Sequence, residues 1–304
     1  MTLRVATRGS RLAVAQSSLV AQRIAAAMGE PFELVTVRTV GDNSKEPLDR
    51  IGGTGVFVGA VREAVLRGEA DICVHSLKDL PTAPHPELVL GAVCARDRAN
   101  DVLVARDGLK LADLPSGARI GTGSPRRAAQ LARLRDDLAV VGIRGNIDTR
   151  LRAVAEGRVD AVVLAAAGLD RLGIGQQATE EFAISEVLPA PAQGALAVEM
   201  RIDATDANLV TGVKRADHGD TRVAVTAERS AMAALETGCT APFGAFAVVS
   251  DDDVLELVAT VLDTTGREPI RKVGVGAPAE AAAVGEDVAA ALLAAGAGHY
   301  LGVG

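Results

Sequence analysis

From residue 3 to residue 173, short apolar runs of strand length alternate with segments of helical length, and that rhythm narrows the fold more than any other feature of the chain. Residues 3–7 (LRVAT) read as a buried strand, and Ser10 is placed to cap a helix from Arg11 to about Met28. Residues 33–40 alternate as a strand does, whereas 41–55 (GDNSKEPLDRIGGTG) combine glycine and charge without a period. A loop of that length in a compact domain tends to be functional. A helix over 57–67 and strands at 71–75 and 88–95 follow. A second series has strands at 101–105, 118–121, 138–143 and 160–164. Its helices cover 124–135 and 146–156, with a short one ending near 172–173. Such alternation predicts mainly parallel sheets covered by helices. Past residue 180 the pattern changes. LPAPAQGALAVEMR leads into an apolar strand, a helix fits 219–237, strands fit 244–250, 254–263 and 269–275, and an Ala-rich helix fits 279–295. Strands with helices segregated to the ends predict a small α+β domain.

Composition sets the outer limits. A chain of 304 residues, 48% hydrophobic, suffices for two or three domains, each with its own core. Its longest apolar run, over 288–298, is mostly Ala and Gly and too short for a membrane span. The arginines of MTLRVATRGSR stand where a signal peptide needs apolar residues, so a cytoplasmic protein is expected. Cys73, Cys94 and Cys239 form no CxxC pair, and the four histidines show no HxxxH or HExxH spacing, so no metal site is expected. Cys73 and Cys94 lie in apolar strands and read as small core residues. Cys239 follows a helix, in GCTAP, where an electrophile could reach a thiol.

The net charge is −7, yet residues 119–152 hold eight Arg against three Asp. These arginines sit at strand-to-helix junctions. Four junctions stand out: Thr7-Arg8-Gly9-Ser10, His75-Ser76-Leu77-Lys78-Asp79, the GTGSPRR run 121–127, and Arg144-Gly145-Asn146 with Thr149-Arg150. In open parallel sheets ligands bind at that edge, where helix N-termini present free N–H groups. Ser124 is a natural N-cap and Pro125 a natural first helical residue, which puts Arg126 and Arg127 in the first turn. Cations there oppose the helix dipole at a cost of about 0.3–1 kcal/mol each, so something negative is expected before them. Surface acids are one candidate and a bound anion is the other. Lys78-Asp79 reads either as a surface ion pair or as part of the same anion site.

The anion's chemistry is narrowed by exclusion. The GTGS loop lacks the GxxxxGK[ST] spacing of a nucleotide loop. The acidic total, and the absence of aromatics from 119–152, count against nucleic acid. Arginine rather than lysine suits planar, bidentate partners, so a small molecule bearing several carboxylates fits best.

Eight segments, in order, resemble the porphobilinogen deaminase (hydroxymethylbilane synthase) family: ATRGSRLAVAQ (6–16), GGTGVF (52–57), DICVHSLKDLPT (71–82), RIGTGSPRR (119–127), IRGNIDTRL (143–151), LAAAGLDRLG (164–173), LPAPAQGA (188–195) and GCTAPFGAFA (238–247). The resemblance implies an α/β protein with two doubly wound, binding-protein-like domains plus a small C-terminal α+β domain. Domain 1 would take residues 1–95 plus about 195–215, domain 2 residues 96–194, and domain 3 residues 216–304. The implied activity is that of a transferase of tetrapyrrole (haem) biosynthesis. It joins four porphobilinogen molecules head to tail into hydroxymethylbilane and releases four ammonia molecules.

The implied cofactor is a dipyrromethane held by a thioether to Cys239, which primes the chain and is not turned over. Cofactor-binding roles fall on Lys78, Ser124, Arg126, Arg127, Arg144 and Gly145, and substrate-binding roles on Arg8, Ser10, Arg144, Arg150 and, as an assistant, Arg171. Asp79 is the implied catalytic carboxylate. It would stabilise the cationic methylene-pyrrolenine left by ammonia loss and move protons to the leaving amine. A cofactor with four added rings brings about a dozen carboxylates, which agrees with an arginine-lined cleft. The product would pass to uroporphyrinogen-III synthase, and the enzyme would be a monomer without nucleic-acid or membrane partners. Thr54, Gly59-Ala60 and Arg50 stand where many members carry Lys, Lys-Glu and Lys, which leaves open the anion contacts of the implied lid loop 41–59. Two other readings compete. One is a two-lobed carboxylate-binding protein without catalysis, which has no need of Cys239 or a third domain. The other is a nucleotide-dependent transferase using the GTGS loop.

Overall fold

The structure is a computed structural model that describes residues 1–37, 55–238, 241–263 and 268–302. The 41–54 part of the expected loop, with Arg50 and Thr54, lies outside the described residues, and so does Cys239. The described chain forms two compact units. Unit 1 is Met1–Arg96 with Ala195–Arg222, and unit 2 is Asp97–Gly194 with Val223–Gly304.

In unit 1, β1 (Leu3–Arg8) leads into α1 (Arg11–Met28), then β2 (Phe32–Val37), α2 (Gly55–Leu66), β3 (Ile72–Ser76) and β4 (Leu88–Val93). Ser10 caps α1 as expected, its hydroxyl accepting from Ala13 N at 3.3 Å, and Gly29 ends the helix at φ 69°. The face of α1 bearing Val20, Ala21, Ile24 and Met28 is buried against Leu3, Val5 and Ile72. β1 pairs in parallel with both β2 and β3. After the excursion through unit 2 the chain returns as β10 (Leu196–Arg201), which inserts antiparallel between β3 and β4, giving the order β2-β1-β3-β10-β4.

A helix that the sequence reading had not found, α6 (Ala207–Arg215), follows β10. Asp206 caps it by accepting from the N–H groups of Asn208 and Leu209. Gly212 lets it lie close to α1, since a Cβ there would meet Met28 Cγ at 2.5 Å. Unit 1 runs on to Arg222 rather than stopping near 215. Asp217 accepts from Val93 N at 2.7 Å and from Arg222, and His218 N donates to Val93 O.

Unit 2 repeats the plan. It comprises β5 (Asp101–Ala105), β6 (Arg119–Gly121), α3 (Pro125–Leu134), β7 (Ala139–Val141), α4 (Ile147–Ala155), β8 (Ala161–Ala165), α5 (Ala166–Arg171) and β9 (Glu180–Glu181). The sheet order is β7-β6-β8-β5-β9. β6 pairs in parallel with β7 and β8, while β5 runs antiparallel to β8 and β9. Each five-stranded sheet thus carries one antiparallel strand in the fourth position. That strand is the one made just after the chain changes units, and because it pairs on both sides, two of the four pairings in each sheet are antiparallel; the expected parallel pairing joins only the first three strands.

The C-terminal part is the expected α+β arrangement. β11 (Phe243–Val249), β12 (Leu255–Val261) and β13 (Ile270–Gly276) form an antiparallel meander. α7 (Gly219–Ala234) and α8 (Ala281–Ala294), followed by α9 (Ala297–Leu301), pack their Ala and Val residues on Leu255, Leu257 and Ala259. The packing does not separate this part from residues 97–194. Buried Glu228 on α7 accepts from the N–H groups of Ala192 and Ala247, and Ala245 N donates to Pro189 O. Gly244 permits that approach, because a Cβ there would meet Leu188 O at 2.9 Å.

Candidate functional site

In unit 1 the expected residues collect at the C-terminal ends of two adjacent parallel strands. Arg8 ends β1 and Ser10 caps the helix after it. Lys78 and Asp79 form a single 3-10 turn after β3. The neighbouring hydroxyls are tied down, with Ser17 donating to buried Thr7 at 2.8 Å. Lys78 is half-buried, and Asp79 is exposed at the tip of its turn. A carboxylate held at a strand end in reach of solvent is free to meet an incoming cation.

In unit 2 the same edge is built from the ends of β6 and β7. Ser124 accepts from Arg127 N and caps α3, and Pro125 takes the first helical position. Asn146 caps α4, its Oδ1 accepting from Thr149 N at 2.9 Å. The two turns lie against each other: Thr122 N donates to Val141 O, and a Cβ on Gly123 would meet Ile143 O at 2.9 Å. Gly145 adopts φ 106°, and a Cβ there would press on Thr149 at 2.8 Å. Arg144 is exposed beside it, and Arg150 reaches back to donate to Gly145 O at 3.0 Å. Two N-capped helices and the guanidinium groups of Arg144 and Arg150 therefore share one edge, a suitable receiver for carboxylates.

Arg126 and Arg127 do find an acid, but a buried one. Both are almost wholly removed from solvent, and each donates to one oxygen of Asp101, at 2.8 and 2.7 Å. Leu188 O and Val163 O take a second donor from each guanidinium. Burial opposes the charge on Asp101, but the two guanidinium groups overrule it and hold its carboxyl well below the usual range. Two cations against one anion leave a surplus positive charge, and the Nε of each arginine has no hydrogen-bond partner. Gln130, on the same helix, accepts from Leu188 N and donates to Leu188 O. Asp101, Gln193 and Gln130 escaped the sequence reading. The only signal was an acid opening the apolar run DVLVA, and the partners lie far apart in sequence.

Arg171 is engaged elsewhere than expected. Its side chain is 6% exposed, donates to Asp97 at 2.9 Å and to Gly194 O, and so fastens the two ends of unit 2's first segment. Nε and Nη2 are the donors used in that closure.

A cavity of about 570 Å³ opens beside the first turn of α3, lined by Pro125 and Ala128 on that helix and by Gly238, Ala241, Pro242 and Tyr300. Gly238 and Ala241 flank the Cys239-Thr240 pair. Glu236, Thr237 and Leu301 complete the lining; Arg126 and Arg127, on the same turn of α3, are not part of it.

One further cluster lies in unit 1. Glu199 stands opposite Cys73 in the antiparallel register, and Cys73, His75 and Glu199 bring their ligand atoms within 4.8 Å of one another. No HxxxH spacing could have revealed it, since the acid arrives on β10. Arg62 already pairs with Glu199 at 2.7 Å, and burial pushes the Cys73 thiol up, so the cluster is a satisfied polar core rather than a set of open ligands. Cys73 and Cys94 are buried and in no disulfide, as their apolar surroundings predicted.

An α/β chain with capped helices and guanidinium groups at its strand ends is built in the manner of proteins that bind small polyanionic molecules. The chain belongs to the porphobilinogen deaminase family. Residues 3–209 match the model "Porphobilinogen deaminase, dipyromethane cofactor binding domain", and residues 223–294 match "Porphobilinogen deaminase, C-terminal domain". The porphobilinogen deaminase of Leifsonia xyli subsp. xyli is 52% identical over 97% of this chain and 93% of its own length. Porphobilinogen deaminase 1 of Streptomyces coelicolor is 50% identical over 99% and 97%, and the Mycobacteroides abscessus protein 48% over 99% of each. Among solved structures, the VFT2 domain of Bordetella pertussis BvgS covers 71% of this chain and 86% of its own at 18% identity and a TM-score of 0.42, a likeness too distant to add to the topology. The cofactor of the matched N-terminal model is a dipyrromethane.

Proposed function

We propose that the chain is a hydroxymethylbilane synthase in which Asp79 is the catalytic carboxylate and Cys239 the cofactor anchor. The substrate is porphobilinogen and the reaction a transfer, each step forming a carbon–carbon bond between pyrroles and releasing ammonia. The alternative of a carboxylate receptor without catalysis is not favoured, since relatives over 97–99% of the chain carry the name of an enzyme. When bound, the dipyrromethane supplies the pyrrole position from which the product grows.

The chain's own residues do the rest. Ser124, Arg126, Arg127, Arg144 and Gly145, with Lys78, hold the cofactor's acid side chains. Arg8, Ser10, Arg144 and Arg150 hold those of the substrate. Asp79 places a fixed negative charge against the cation left on porphobilinogen as ammonia departs, and carries protons to the leaving amine. The product passes to uroporphyrinogen-III synthase, and the enzyme works as a monomer in the cytoplasm; no described helix is long and apolar enough to cross a membrane.

The observation that carries the reading is the buried pair of guanidinium groups on one carboxylate, with both Nε donors unspent, at the capped start of α3. The test is intact mass. The purified chain should exceed its sequence mass by two linked pyrrole units, and Cys239→Ser should not. A loaded protein formed without that sulfur would remove Cys239 from the anchoring role.

A further inference from the structure

Asp101 is completely buried at the start of β5, and the proposed contacts do not include it. Its oxygens are divided among three donors. Oδ2 accepts from Arg126 Nη2 at 2.8 Å, and Oδ1 accepts from Arg127 Nη2 at 2.7 Å and from Gln193 Nε2 at 2.8 Å. Gln193 Nε2 also donates to Ala99 O at 2.6 Å, which holds the amide against the chain just before Asp101. The carboxylate therefore has little freedom to turn. The Nη1 of Arg126 is taken by Leu188 O at 2.6 Å and that of Arg127 by Val163 O at 3.0 Å. A guanidinium is a rigid plane, so once both Nη groups are held, the direction of its Nε–H is set. In both residues Nε has no partner, and each Nη keeps a second N–H beside the one its bond uses.

The geometry points to Asp101 as a positioning residue: it orients Arg126 and Arg127 so that their N–H donors not spent on protein acceptors, at the first turn of α3, are preset for a ligand carboxylate. The inference rests on the reading of these two arginines as cofactor ligands. Charge supports it as well as direction. With Asp101 ionised the trio carries a surplus of one positive charge, which one ligand carboxylate can neutralise. Without it, two buried cations would repel each other with nothing to align them, and the ligand would have to supply the order that the protein now supplies. Gln193 acts one step further back, holding the carboxylate that holds the arginines.

The test uses the full chain, prepared free of cofactor and then incubated with porphobilinogen, in wild type, Asp101→Asn and Gln193→Met. Three quantities are read: the rate of mass gain by two linked pyrrole units, the melting temperature, and kcat and KM for porphobilinogen in the loaded fraction. Asp101→Asn should slow the mass gain by about tenfold or more, with kcat and KM of the loaded fraction changed less than about threefold, because the arginines it orients hold the cofactor while the substrate contacts and the reacting carboxylate are untouched. Gln193→Met leaves every charge in place and should give the same pattern at about threefold. Variants that load and bind at wild-type rates, with only a lower melting temperature, make Asp101 merely structural and overturn the proposal. If Asp101→Asn does not fold, Gln193→Met decides by the same criteria. A wild type that gains no mass from porphobilinogen takes down the cofactor reading and this inference together, whereas a wild type that loads beside variants that load equally well removes only the role of Asp101.

Discussion

Arg62 on α2 grips Glu199 on β10 with two hydrogen bonds, Nε to Oε2 at 2.8 Å and Nη2 to Oε1 at 2.7 Å, joining residues 137 positions apart in the chain. Both side chains are largely buried, and His75 adds a third contact, its Nε2 lying 3.1 Å from Glu199 Oε2. Burial opposes ionisation of Glu199, but the hydrogen bonds from His75 and Arg62 outweigh it and hold its carboxyl at about 2, below the ordinary 4.5.

A depressed carboxyl contributes stability that is fully present above its unfolded value and is lost as pH falls through its folded value. Glu199 should therefore stabilise the fold above about pH 4.5 and lose that contribution progressively toward about pH 2. The shift corresponds to a contribution on the order of 3 kcal/mol. Urea unfolding in steps from about pH 6 to about pH 3 should show wild type losing stability faster than Glu199→Gln, because only wild type must protonate this group. Parallel acid profiles would contradict this.

Arg62→Met removes the partner and leaves the acid buried. Breaking a buried pair in this way costs about 3–5 kcal/mol. Denaturant titration at neutral pH should find a loss of that size. The double variant Arg62→Met/Glu199→Gln should recover part of it, since no uncompensated charge then remains inside.

Asp79 is exposed at its turn, so Asp79→Ala should leave the melting midpoint nearly unchanged, within about 0.5 kcal/mol of wild-type stability. Bilane formation should fall by several orders of magnitude while the loaded mass is retained. Near-normal turnover in a folded, loaded variant would take the catalytic role from Asp79.

Ser124 caps α3 and Asn146 caps α4. Replacing either by Ala should cost about 1 kcal/mol of stability, read by urea denaturation. If the capped ends also receive carboxylates, Ser124→Ala should slow loading with the cofactor, and Asn146→Ala should raise KM for porphobilinogen more than it lowers kcat, changes that cap loss alone does not produce.

Gly145 turns the chain at φ 106°, in a space closed by Thr149. Gly145→Ala should destabilise by about 1–3 kcal/mol, through backbone strain and the clash together. It should also displace Arg144, so loading with cofactor, followed by intact mass, should slow. Unchanged stability and loading would mean that the turn relaxes without cost.

How much was legible in the chain can be judged from particular elements. α1 and its Ser10 cap, α3 with Ser124 and Pro125, and α4 with Asn146 were all placed correctly, because caps and apolar periods are local signals. α6 was missed although Asp206 caps it, and the sequence reading ended unit 1 before residues 217–222, which are bonded to β4. That attachment is a tertiary fact.

The chain alone determined the alternation of strands and helices, the strand-end junctions where Arg8, Lys78, Asp79, Arg126 and Arg144 lie, and the family they belong to, because each depends on residues within a few positions of one another. Only the tertiary structure decided that each five-stranded sheet takes one antiparallel strand, that Arg171 bonds Asp97 and Gly194, and that Arg126 and Arg127 share Asp101. Those outcomes depend on which distant segments are packed together in the interior. A buried charge must be met by whatever partner the fold brings to it, and sequence spacing carries no record of that partner.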